Sequence, residues 1–301
     1  MKIAVAGASG MIGRPLLAAL RADGHEVLQL VRRTPRTADE HRWDPQHRRI
    51  DDALLADVDA VINLAGVGVG DRRWTDRHKQ AVLSSRVDST ATLSQAFADA
   101  AAGHPGRDRV LVNASAVGFY GDTGDRIVDE ATGPGSDFLA QVCVEWEAAT
   151  EPAAAAGIRV TMLRTGLVMG RGGLLARMLP IFRLGLGGRL GSGRQYVPWI
   201  SQADEVGAIQ FLLDHDVAGP VNLTGPAPVT NAEFTATLGE VLHRPALLVV
   251  PAPALRIVLG EFADVGALAG QRAVPSKLLD AGYSFRHADL QSALRAVVER
   301  S

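Results

Sequence analysis

Short aliphatic runs and amphipathic stretches take turns along the first two-thirds of the chain. The runs Lys2–Ala6, Val27–Val31, Ala60–Leu64, Arg109–Ala114 and Arg159–Leu163 are compact and largely apolar, as parallel strands must be when helices cover both faces of their sheet. Between them, Met11–Asp23, Asp76–Ala102 and Asp137–Ala156 carry helical spacing. A later strand is expected at Val221–Leu223, after a helix at Ala203–Leu213. This alternation predicts βαβ units, and hence an α/β fold with a doubly wound parallel sheet.

The pattern then changes. Residues 166–200 are rich in glycine and arginine, which suits a loop-rich lid over a substrate surface better than core. From Pro245 prolines cluster among short helical stretches. The expected division is a dinucleotide-binding domain over residues 1–244, with the lid inserted, and a smaller substrate-side domain over 245–301. The second piece is too short for an independent core without disulfides or metal. Its apolar residues, among them Leu247, Leu248, Val249, Ile257 and Val258, are therefore expected to bury themselves against the first.

Composition narrows the classes. With 301 residues, 47% hydrophobic and 21% charged, the chain is an ordinary globular protein, and its net charge of −2 argues against a nucleic-acid partner. No apolar run is long enough to span a bilayer, and the glycine-rich start does not read as a signal peptide. No membrane partner is expected. One cysteine, Cys143, excludes an internal disulfide and fits the cytoplasm. The histidines show no ligand spacing, so no metal is expected.

The first strand runs into Gly7-Ala8-Ser9-Gly10-Met11-Ile12-Gly13 and then a helix. Gly7 permits the tight turn, Gly10 lets backbone approach a pyrophosphate, and Gly13 lets the helix sit close to the sheet. The helix start offers free N–H groups to phosphate oxygens. The loop from Gly7 to Gly13, including Ser9, Met11 and Ile12, is the candidate cofactor site. At the end of the second strand, where an NAD-binding chain places an acid for the ribose hydroxyls, stand Arg32 and Arg33. A guanidinium grips a 2′-phosphate and a carboxylate repels it, so NADP(H) is the expected cofactor.

Taken together, the loop, Val61-Ile62-Asn63-Leu64-Ala65-Gly66 and Ser115 resemble extended short-chain dehydrogenases/reductases. Trp43-Asp44-Pro45, Arg73-Trp74-Thr75, Ser84-Ser85-Arg86, the Ser115–Gly121 run and Leu163-Arg164-Thr165-Gly166-Leu167 sharpen this. So do Val197-Pro198-Trp199-Ile200, Asn222-Leu223-Thr224-Gly225 and the Leu278–Tyr283 run. The chain resembles an atypical branch of that family: epimerase-family proteins with a C-terminal domain of unknown function. The resemblance implies an NADP-binding Rossmann fold, with Arg32 and Arg33 at the adenosine phosphate. It also places Leu64, Ala65 and Gly66 beside the cofactor, Arg86 reaching it, and Leu167 on the nicotinamide side. Gly185–Gly193 and the residues after it resemble the substrate-proximal loop of sugar-nucleotide epimerases, with Arg189 and Arg194 as anion ligands.

One departure matters. Hydride enzymes of this superfamily usually carry Tyr-x-x-x-Lys on a helix, because a tyrosine needs a neighbouring cation to exchange protons near neutral pH. That pair is absent, and the matching stretch reads Phe138-Leu139-Ala140-Gln141-Val142. Ser115 is either a substrate-orienting hydroxyl or a strand-end serine bonded to local backbone. Tyr120 is either an acid without its lysine or a packed loop residue. Two functions stand open. One is an NADP(H)-dependent oxidoreductase or epimerase acting on a small carbonyl or hydroxyl substrate through Ser115 and Tyr120. The other is a catalytically reduced NADP(H)-binding sensor or partner-binding protein. Either would be a monomer or a homodimer.

Overall fold

The computed structural model describes residues 1–299; positions 300 and 301 of the expected 245–301 segment lie outside the described residues. Seven strands form the central sheet: β1 (Lys2–Ala6), β2 (Glu26–Val31), β3 (Glu40–Arg42), β4 (Ala60–Asn63), β5 (Val110–Ala116), β6 (Arg159–Thr165) and β7 (Gly219–Leu223). All pairs are parallel, in the order β7-β6-β5-β4-β1-β2-β3. The order reverses between β1 and β4, which opens a crevice at their carboxyl ends, where open α/β sheets take their ligands.

The main helices are α1 (Gly13–Ala22), α2 (Asp76–Gly103), α3 (Phe138–Ala148), α4 (Gly173–Arg183), α5 (Gln202–Asp214), α6 (Asn231–Leu242), α7 (Ala252–Leu259) and α8 (Leu290–Val298). On one face of the sheet α1 and α5 bury Leu16, Leu20, Ile209 and Leu212 against Ile3, Ile62 and Val112. On the other, α2 buries Leu93 and Phe97 against Ala4, Val61 and Leu111. The alternation along each strand, Ile3 to one side and Ala4 to the other, is why the strands are apolar throughout.

The structure departs from the sequence reading in four places. The edge strand β3 was not expected: Glu-His-Arg has no apolar pattern, and pairing Leu30 with His41 supplies the order instead. The helix expected over Asp137–Ala156 is two, interrupted at Ala149–Thr150, with Pro152 in the first turn of the second. Residues 166–200 are not loop-rich; they contain α4 and short strands at Leu167–Met169, Gly188–Leu190, Tyr196–Val197 and Trp199–Ser201. Leu247, Leu248, Val249, Ile257 and Val258 are exposed, by 48% to 86%, and of that stretch Leu255 alone is buried.

The C-terminal residues return to the core elsewhere. Strand Arg272–Ala273 pairs with Ile127–Val128. The Arg286 and His287 amides donate to the fully buried Asp204 carboxylate at 2.7 and 3.1 Å. Helix α8 sinks Leu290 and Leu294 into a second core with Phe234, Trp199 and Met169.

Candidate functional site

Three glycines of the first loop turn out to do different jobs. Gly7 has φ +78°, and a Cβ there would lie 2.6 Å from the Leu64 carbonyl. A Cβ on Gly13 would lie 2.4 Å from the Gly7 oxygen. Packing alone demands those two. Gly10 is exposed, and its Cβ would meet only the Gly7 oxygen, at 3.2 Å. Its bareness leaves room for something outside the protein. Ser9 is exposed beside it, and no side chain caps the start of α1. An open glycine next to uncapped N–H groups fits a dinucleotide pyrophosphate.

The Met11 and Ile12 side chains pack on the core, which leaves only their backbone to the open side of the loop. Gln202 on α5 donates to the Met11 carbonyl at 2.9 Å, which ties the loop to the helix after the lid. Leu64 and Ala65 lean on the cores of opposite sheet faces, while Gly66 stands exposed at the crevice. Leu167 opens a short strand and packs partly into the second core.

The arginine pair divides. Arg33 forks onto Glu40 of β3, with one contact at 2.7 Å. Each holds the other charged: the guanidinium pushes the carboxyl below its usual range, and the carboxylate raises the guanidinium. Arg32 is exposed, and its side chain makes no hydrogen bond or ion pair among the described residues. Arg33 is therefore already committed and Arg32 is the open cation. Glu40 went unread in the sequence because nothing local marks an edge strand there.

Arg86, on α2, lies under the same crevice. It donates to the carbonyls of Val67 and Val82 at 2.9 Å and stacks 4.9 Å over the Trp146 ring. A Cβ on Gly66 would lie 3.5 Å from its Cζ. No carboxylate pairs with it among the described residues, and burial pulls it below the usual arginine range.

Ser115 is buried near the end of β5. Strand alternation turns it to the α2/α3 side, where Oγ donates to Glu147 at 2.7 Å and is 4% exposed. Glu147 also accepts two bonds from Arg164, both at 2.9 Å. Tyr120 is 2% exposed; it donates to Asn222 at 2.7 Å and accepts from Arg164 at 3.1 Å. Burial raises it further above an already high tyrosine value, against the partial relief from Arg164. Both hydroxyls proposed for proton work are structural members of one buried network, which continues from Asn222 to Glu130.

The helix that should carry the tyrosine and lysine is closed as well. Val142 and Trp146 are buried, and Phe138 meets Trp74 edge-on at 5.3 Å beneath the Lys79 ammonium. Phe262 completes the cluster on Trp74 at 5.4 Å, and Glu261 pairs with Lys79. The C-terminal segment thereby roofs this end of the crevice. Arg189 folds onto its own Ser192 carbonyl, and Arg194 reaches Asp125 only at 3.9 Å. Two hollows lie away from these residues, one of about 670 Å³ beside His243 and Arg244 and one of about 360 Å³ beside His104 and Arg107. Sequence reading also missed the buried clasp in which Asn63 donates to Asn113 and Thr90 at 2.8 and 3.0 Å, fixing the ends of β4 and β5.

Residues 3–224 match the NAD dependent epimerase/dehydratase family, and residues 250–297 match a domain of unknown function, DUF1731. The chain belongs to the epimerase/dehydratase family. An epimerase family protein of Mycobacterium bovis is 52% identical over 294 residues, covering 97% of this chain and 96% of its own. The crystal structure of human epimerase family protein SDR39U1 (isoform 2) with NADPH superposes with a TM-score of 0.88 at 33% identity, over the full length of both chains. A Corynebacterium glutamicum structure titled nucleoside-diphosphate sugar epimerase gives 0.81 at 34% identity, covering all of this chain and 59% of that one.

Proposed function

We propose that this epimerase-family chain binds NADP(H) at the Gly7–Gly13 loop and Arg32, and works as a cofactor-binding sensor rather than as a sugar epimerase. One observation carries the reading: Ser115 and Tyr120 are both spent on a buried network, and Phe138 and Val142 occupy the helix face where acid–base chemistry would sit. The cofactor, when bound, supplies a hydride. The chain's own residues hold its phosphates, select the 2′-phosphate through Arg32, and keep the Ser115 and Tyr120 hydroxyls in the buried network, away from the accompanying proton. The NADPH in the human relative's structure supports the cofactor assignment. The buried, unpaired Cys143, with its thiol pushed up to about 12 by burial, suits a reducing cytoplasm.

Arg86 supports a second reading. A guanidinium without a carboxylate partner beside Gly66 can polarise a carbonyl without titrating, which would suit an NADP(H)-dependent oxidoreductase for small carbonyl or hydroxyl substrates. The test is calorimetric titration with NADPH and NADH, alongside NADPH oxidation against small carbonyls and nucleotide sugars. Tighter NADPH binding without turnover is expected. Turnover that survives Ser115→Ala and fails in Arg86→Gln would establish the oxidoreductase instead, and equal affinity for the two cofactors would overturn the assignment to NADP(H).

A further inference from the structure

Large exposed apolar side chains are not scattered over this protein. All but Met1, Ile127, Val144 and Leu279 fall within residues 166–200 and 241–260. The two segments meet: Gly188–Leu190 pairs in parallel with Leu248–Val250, and the Arg244 guanidinium donates to the Arg183 carbonyl at 3.0 Å. Leu184 is 75% exposed and Leu247 86%, with Leu186, Leu248 and Val249 beside them. Helix α7, which leaves the same strand, adds Ile257 and Val258 at 75% and 71%.

Charge says what this face suits. Neither segment contains an aspartate or glutamate, although the whole chain is slightly acidic. Between them they carry seven arginines: 171, 177, 183, 189, 194, 244 and 256. Asp71 and Asp264 meet Arg177 and Arg256, and Asp125 approaches Arg194. Arg171, Arg183, Arg189 and Arg244 pair with no carboxylate among the described residues. Of the acids that flank the segments, Glu261 is taken by Lys79, and Glu240 is the one carboxylate lining the hollow beside Arg244 and Leu247.

A second copy is a poor occupant, because a two-fold interface would bring these unpaired arginines against their own images. A surface both anionic and apolar answers both features. Leucines enter the acyl boundary while arginines keep their charge at the headgroups. We propose that this face docks on an anionic phospholipid bilayer. The absence of a spanning helix among the described residues bears only on crossing a membrane, not on lying against one.

The test is co-sedimentation of the full chain with phosphatidylcholine vesicles, with and without about one-third phosphatidylglycerol. Binding to the anionic vesicles alone, weakened by salt, is expected. Leu184→Asp with Leu247→Asp should cost about tenfold in affinity, as should Arg183→Glu. Melting temperature and NADPH affinity should not change in either variant, since these exposed residues touch neither core nor cofactor loop. No binding to anionic vesicles, or binding indifferent to both variants, would overturn the proposal. So would a wild-type dimer in solution that the leucine variants reduce to monomer.

Discussion

The Ser115 hydroxyl donates a hydrogen bond to Glu147 at 2.7 Å, and the same carboxylate is clamped by Arg164 through two bonds of 2.9 Å. Ser115→Ala should therefore leave NADPH affinity unchanged and cost about 1 kcal/mol of stability, since Glu147 keeps its arginine. Glu147→Ala should cost about 3–5 kcal/mol, because it strands the Arg164 charge, whose side chain is 4% exposed. Denaturant unfolding of the two variants checks both, and a cofactor-binding defect in Ser115→Ala would show that its hydroxyl reaches the crevice.

The loop glycines should separate by readout. Gly13→Ala drives a Cβ against the Gly7 carbonyl and should destabilise the fold by about 1–3 kcal/mol. Gly10→Asp should melt near the wild-type temperature yet lose NADPH, because its carboxylate occupies and repels the pyrophosphate position. Thermal melts with and without NADPH tell the two apart.

Arg32→Asp should weaken NADPH by at least about tenfold and NADH by much less. Arg33→Ala should do less to NADPH than Arg32→Asp, as its fork is already on Glu40. Isothermal titration of both cofactors into both variants decides the order.

Glu205 is fully buried, accepts from Thr165 Oγ at 3.0 Å, and has its second oxygen without a partner. Burial pushes it up to about 8, against the partial relief from Thr165. An acid raised in the folded state stabilises fully below its unfolded value, and that contribution drains away as pH climbs from about 4.5 to about 8. Its titratable neighbours are Asp204 and Tyr283, the latter itself raised by burial. Glu205→Gln should flatten the decline and raise the melting temperature at pH 8 by about 2 °C or more. A wild-type melting temperature that does not fall between pH 5 and pH 8 would contradict this.

Truncation after residue 244 would remove Leu278, Leu290 and Leu294 from two cores and the amides that satisfy Asp204. The fragment should aggregate on expression, and light scattering of a purified 1–244 piece is the check. A stable monomer with full NADPH affinity would show the C-terminal residues to be dispensable for the fold.

The chain's own pattern determined the parallel sheet and the loop. Apolar runs such as Ile3–Ala6 and Val61–Ile62 sort to two faces at a period of two, and a glycine loop between strand and helix is a local conformation. The loop pattern also assigned the turn to Gly7, ligand approach to Gly10 and close packing to Gly13; what only the folded backbone sets is that Leu64, distant in sequence, presses on Gly7. The same holds for the hydroxyls. Ser115 and Tyr120 looked available because sequence shows a strand end but not what packs across it; Glu147, Arg164 and Asn222 lie 32, 44 and 102 positions away from their partners. Nor does any window of sequence show that Leu247 stays in water while Leu255 is buried, since both sit in one apolar run. Burial is a property of what another segment covers, and the segments that meet here, 183–190 and 244–250, are brought together only by tertiary pairing.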